Sequence, residues 1–191
     1  MIRLLQKQEA LQVIVSSKNS VLKNLFLVAI SVVSTMYLYR PIFSGNLIGE
    51  PFDTRLQILI HEHWWRWFNG ITTFRNMEYF YPADNTFGNS DVFLAQGLTH
   101  SLFRLLGLEM HTAWITTTLI FLVLGNLGWA FFAKNYFKNY VIQISFTITI
   151  IFSATFFVYM VNVPNVVGYL YVSWFMVLLK LIINNKNNRI K

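Results

Sequence analysis

Gly49-Glu50-Pro51-Phe52-Asp53-Thr54-Arg55 and, after five further residues, His61-Glu62-His63-Trp64-Trp65-Arg66-Trp67-Phe68-Asn69-Gly70 form a polar, aromatic run between apolar segments. This run opens a block, residues 49–109, that holds seven of the eight acidic residues: Glu50, Asp53, Glu62, Glu78, Asp84, Asp91 and Glu109. Arg55, Arg66, Arg75 and Arg104 accompany them, so the block is net negative while the rest of the chain is strongly positive. Any chemistry the chain performs is expected inside this block.

Outside it the chain reads as membrane-spanning. Apolar residues make up 55% of the 191, charged ones only 12%, and the mean hydropathy is +0.47. That balance fits a chain whose solvent is partly lipid. The net charge of +7 comes from basic residues at the ends of apolar runs rather than along a stripe, which argues for a membrane and against nucleic acid. The absence of Cys excludes disulfides, thiolate nucleophiles and thiolate metal sites.

Four spans are expected, at about 21–39, 112–133, 141–161 and 166–183. Residues 1–20 allow either a short amphipathic helix on an anionic membrane face or a solvated cytoplasmic tail. Tyr37, Tyr39 and Arg40 mark one interface of the first span, which reads as an uncleaved signal anchor ended by Pro41. Asn162-Val163-Pro164-Asn165 reads as a turn. Basic residues in short loops stay in the cytoplasm. The N-terminal tail, the Lys134–Lys138 turn and the C-terminal tail therefore face inward, and residues 41–111 and the Asn162–Asn165 turn face outward. The expected fold is all-α: a 21–191 membrane domain of four transmembrane helices with two amphipathic surface helices in a long outer loop. No interrupted apolar segments recur in two halves, which argues against an inverted-repeat transporter.

The first loop helix is expected over residues 53–69, ended by Gly70. On a helical wheel Arg55, Glu62, Arg66 and Asn69 share an arc read here as water-facing, with Glu62 and Arg66 an i,i+4 pair. Trp64, Trp65 and Trp67 suit the headgroup layer. The second helix opens at Ser90 or Asp91 and runs to about Leu106, with Leu94, Leu98, Leu102 and Leu105 as its apolar stripe and Gly107 as its C′ glycine. Gln96, His100 and Arg104 lie away from that stripe. The aromatic run from Tyr79 to Asn89 reads as an ordered loop.

Asp53 is either a plain first-turn acid or a general base at the membrane boundary, where desolvation would raise its pKa. Glu62 is the second carboxylate. Arg55, Arg66, Arg75 and Arg104 are candidate phosphate clamps. His61 and His63, two residues apart, point about 200° apart on a helix and do not share one ion. No metal site is expected, although Glu50 and Asp53 could hold Mg²⁺ weakly. No phosphate-binding glycine loop, nucleophile elbow or dinucleotide fingerprint is present.

The run Asp53-Thr54-Arg55, then Glu62-His63, Gly70, Tyr81-Pro82 and Ser90-Asp91, set after a single span, resembles the N-terminal module of GT-C type membrane glycosyltransferases, in their YfhO-like and RgtA/B/C/D-like branches. The likeness covers about residues 20–185. It implies sugar transfer from a polyprenyl-phosphate donor to an acceptor on the outer face of a bacterial inner membrane. It also implies Asp53 as the base, Glu62 as a second acidic candidate, and Arg55, His63, Arg66 and Arg104 as phosphate or sugar contacts. Members of that family have many more spans. The chain is therefore expected to be a front module, completed by a missing C-terminal half or a second membrane subunit. The alternative is a non-catalytic membrane interaction protein that binds a partner or lipid through its outer loop.

Overall fold

The computed structural model describes residues 21–44, 51–77, 83–86, 93–160 and 165–189. All regular structure among them is helical, with no strand. Helix α1 spans Val21–Leu38 and continues into a short 3-10 turn, Arg40–Ser44. Then come α2 (Pro51–Phe68), α3 (Leu94–Leu105), α4 (Met110–Tyr136), α5 (Tyr140–Met160) and α6 (Asn165–Arg189). The tail before Val21, the turn at 161–164, Glu50, and Ser90 with Asp91 lie outside the described residues.

Two helices, α1 and α4, are long and apolar enough to cross a membrane. The apolar stretches described on α5 and α6, Tyr140–Ser153 and Leu170–Ile183, are shorter. Helix α4 is the hub. It runs parallel to α6: Trp174 Nε1 donates to Leu124 O at 3.0 Å, and Lys180 lies 5.3 Å over the Tyr136 ring. Where the two come closest, a Cβ on Gly128 would meet Ser173 Oγ and lie 2.8 Å from Ser173 Cβ. Helix α5 folds back after a three-residue turn, with Phe146 against Trp129, Phe132 and Phe137.

Helix α1 runs antiparallel to α4 and buries one narrow stripe, Leu27, Ser31, Thr35 and Tyr39, at strict four-residue spacing. Ser31 and Thr35 donate to the carbonyls one turn back, and Asn126 Nδ2 of α4 donates to Thr35 Oγ1 at 2.6 Å. The remainder of α1 is apolar and exposed, with Leu22, Leu25 and Val33 each more than half accessible. Small residues at the contact, polar side chains as cross-links and large apolar ones outside are how helices pack in lipid. Lys23, which lies 5.4 Å over the Tyr140 ring, joins Lys134 and Lys180 at one end of the bundle.

Helices α2 and α3 form a cap at the other end, where Ile58 joins Tyr39, Trp114 and Leu122 in the core. Their ends follow from glycine. Gly70 and Gly107 take positive φ (69° and 90°), and each closes its helix with a paired set of backbone hydrogen bonds, Ile71 N to Arg66 O and Leu108 N to Phe103 O being the longer-range member of each set.

The cap's faces correct the wheel reading. Glu62 does not face water: it turns toward α3 and is 12% exposed. The buried face of α2 is instead Thr54, Gln57, Ile58, His61 and Trp64, a mostly polar set at helical period. Trp64 is packed inside, filling the space that a side chain on Gly97 would occupy, rather than standing in a headgroup layer. On α3 the polar residues Gln96, His100 and Ser101 point inward, and the stripe Leu94, Leu98, Leu102 and Leu105 is 45–71% exposed. Of the loop expected over Tyr79 to Asn89 only residues 83–86 are described; there Asn76 Oδ1 accepts from Asn85 N at 2.8 Å, and Met77 N donates to Thr86 Oγ1 at 3.0 Å.

Gly128→Ala is expected to overpack the α4–α6 contact and cost about 1–3 kcal/mol of stability in detergent. Adding Ser173→Gly should restore much of the loss, which thermal unfolding of the single and double variants would measure.

Candidate functional site

The polar cluster between α2 and α3 is centred on Glu62. Its Oε1 accepts from Arg104 Nη2 at 3.1 Å, and its Oε2 lies 3.0 Å from His100 Nε2 and 3.1 Å from Arg104 Nε. The second Arg104 amino group donates to Leu108 O at 2.8 Å, and its guanidinium lies 5.7 Å over the Trp65 ring. His100 and Arg104 are one turn apart on α3, so both reach the same carboxylate. The result is a two-pronged, charge-assisted contact on a side chain largely withdrawn from water.

Behind this clamp lie two imidazoles. The His61 ring centroid is 5.8 Å from that of His100 and 5.8 Å from the Phe93 ring, which it meets edge-on. Burial, and secondarily the neighbouring His100, holds the His61 pKa down at about 3. His61 is therefore neutral at any physiological pH. Both His61 nitrogens, His100 Nδ1 and Gln57 Nε2 are buried without a hydrogen-bond partner, as are Trp114 Nε1 and Thr117 Oγ1 on α4. Such unsatisfied atoms are uncommon in a folded interior, and here they gather where α2, α3 and the start of α4 meet.

The remaining sequence-derived candidates disperse. Asp53 sits in the first turn of α2, half-buried. Nine residues separate it from Glu62, about 13 Å along the axis and about half a turn around it, so the two carboxylates do not converge. Arg55 is exposed, and Arg66 is half-buried on the Glu62 side of α2. His63 is buried and ties α2 to the following segment, its Nε2 lying 3.1 Å from Phe74 O. Arg75 is exposed. Of the candidate set, the structure brings Glu62 and Arg104 together.

His100 is the residue the sequence reading passed over. Its i,i+4 spacing to Arg104 on the polar side of the leucine stripe was the available signal. Among the described residues no group of three or more His, Asp or Glu side chains is placed to hold a metal ion. No protein-family model, curated protein or solved structure matches the chain.

Arg104→Ala leaves the Glu62 charge without its main partner in a poorly hydrated place, so a loss of about 2–3 kcal/mol is expected. Glu62→Gln with Arg104→Met should cost less than the sum of the single changes, as read from a double-mutant cycle of detergent unfolding.

The depressed pKa of His61 also sets a pH dependence. Below the ordinary histidine value of 6.5 the unfolded chain binds a proton that the folded chain refuses down to about 3. Stability from this group is thus complete above pH 6.5 and lost as the pH falls toward 3. His61→Leu should flatten the stability profile across that window, with His100 and Glu62 still present in both proteins.

Proposed function

We propose that the chain is a four-span integral membrane protein, with both termini and the 134–138 turn in the cytoplasm, and that α2 and α3 form an outer-face cap in the headgroup region. In this reading α5 and α6 cross the bilayer with α1 and α4. One observation carries the membrane placement: α3 turns its leucines out and its histidine, glutamine and arginine in. Exposing four leucines to water would forfeit on the order of 1.5–3 kcal/mol each. Lipid around the stripe removes that cost. The shared end of Lys23, Lys134 and Lys180 supports the orientation.

On this scaffold the proposed activity is that of a GT-C-like front module, transferring a sugar from a polyprenyl-phosphate donor to an outer-face acceptor. Support comes from the motif resemblance and from the first turn of α2. There Asp53 stands half-buried in the first turn, and Arg55, two residues on and on roughly the opposite side of the helix, is exposed toward an approaching lipid-borne phosphate. Asp53 takes the acceptor proton. Glu62 acts as a positioning residue, because its oxygens are already engaged by His100 and Arg104.

In membranes expressing the full gene, Asp53→Asn is expected to reduce transfer of labelled sugar from the lipid donor by about 10²-fold or more while leaving expression intact. Transfer at the parental rate would remove Asp53 from this role. Because the chain has no Cys, Asn69→Cys and Asn85→Cys give clean single-site probes. Labelling of either only after the cells are broken would overturn the orientation.

A further inference from the structure

Helices α1 and α4 meet along the buried stripe from Leu27 to Tyr39, with a clasp midway. The clasp is the hydrogen bond between Asn126 and Thr35. On its basic side Leu27 and Ala130 close over a crevice of only about 10 Å³. On its other side, flanking the buried Tyr39, an open groove of about 680 Å³ lies between residues of the two elements. Met36 of α1 and Phe43 of the 3-10 turn form one wall, and Ile120 and Leu124 of α4 form the other, with His111 and Thr112 at the far rim.

The groove's dimensions select its occupant. From Thr112 to Leu124, α4 rises about 18 Å. One leaflet of hydrocarbon is about 15 Å deep, half of the roughly 30 Å core. A partner's transmembrane helix would need a seat through both leaflets, and this groove ends at the clasp. Its polar side chains, His111, Thr112 and Thr116, belong to the first two turns of α4 and its apolar ones run inward from there, the polarity of an amphiphile standing in a bilayer.

We propose that this groove is a lipid site that takes one acyl chain of an outer-leaflet phospholipid, with the ester and headgroup region at His111 and Thr112. The site rests on the membrane placement above and is independent of sugar transfer. Ile120 and Leu124 are both partly exposed, so enlarging either fills the groove from its open side without entering the core.

The test reconstitutes the full chain in phosphatidylethanolamine–phosphatidylglycerol vesicles containing phosphatidylethanolamine with a diazirine midway along one acyl chain. After photolysis, peptide mass spectrometry is expected to place label on Met36 and on 120–124 several-fold above that on Phe175 and Leu178, exposed apolar residues of α6. Ile120→Trp should remove the groove label and leave the α6 label. Equal labelling of groove and α6, or no effect of Ile120→Trp, would overturn the site. Displacement by trace polyprenyl phosphate but not by excess phospholipid would overturn the phospholipid assignment. Absence of label anywhere would overturn the membrane placement itself, and the site with it.

Discussion

The Glu62 carboxylate, gripped from one side by His100 and Arg104, decides how the cap is put together. A carboxylate at 12% exposure is tolerable only when its oxygens are matched by donors, and α3 supplies them one helical turn apart. Bringing those donors to Glu62 fixes the rotation of α3 about its axis. That rotation places Gly97 against Trp64, where a residue without a side chain is needed, and sends Leu94, Leu98, Leu102 and Leu105 outward. The arrangement is the reverse of a helix pair folding in water, where the leucines would meet and the charges would hydrate. Desolvation turns from a penalty into the reason for pairing once the surroundings are apolar.

The same rule governs the bundle. Ser31 and Thr35 satisfy their hydroxyls on their own helix, so α1 can present small polar residues to α4 without stranding a donor. Asn126 then supplies a cross-link to Thr35, and interhelical bonds of this kind contribute about 0.6 kcal/mol on average in membrane bundles. Most of the association has to come from close packing. Gly128 against Ser173 provides it for α4 and α6, as Gly97 against Trp64 does for the cap. Two contacts of the same type thus hold together parts of the chain with opposite polarity.

Much of this was legible in the sequence, and what was missed has a common cause. The expected helix boundaries at 21–39, 112–133 and 141–161 agree with α1, α4 and α5 to within about three residues, because long apolar runs bounded by Lys, Tyr or Pro are local signals. Gly70 and Gly107 were legible for the same reason. The facing of α2 and α3 was not. A wheel shows which residues share a face but not which face is inside, and on α3 the usual assumption that apolar residues face inward fails. The pairing of Glu62 with His100 spans 38 residues, and no local pattern encodes it. The stripe Thr54, Gln57, His61 could have been found by looking for polar residues at helical period.

With the faces of α2 assigned, the place for chemistry narrows. Its Glu62 side is occupied by α3. Ile60 and Trp64 are covered by Met77, and His63 is tied to Phe74. Ile58 is locked into the core with Trp114. The conspicuous His61-Glu62-His63 triplet therefore points three ways, Glu62 to α3, His63 to Phe74 and His61 to Phe93 and His100. In its first turn and a half Phe52 and Arg55 are exposed, and Asp53 is half-buried in the positive end of the helix dipole. The clamp, by holding α2 rigidly against α3 and α4, keeps the turn in one place.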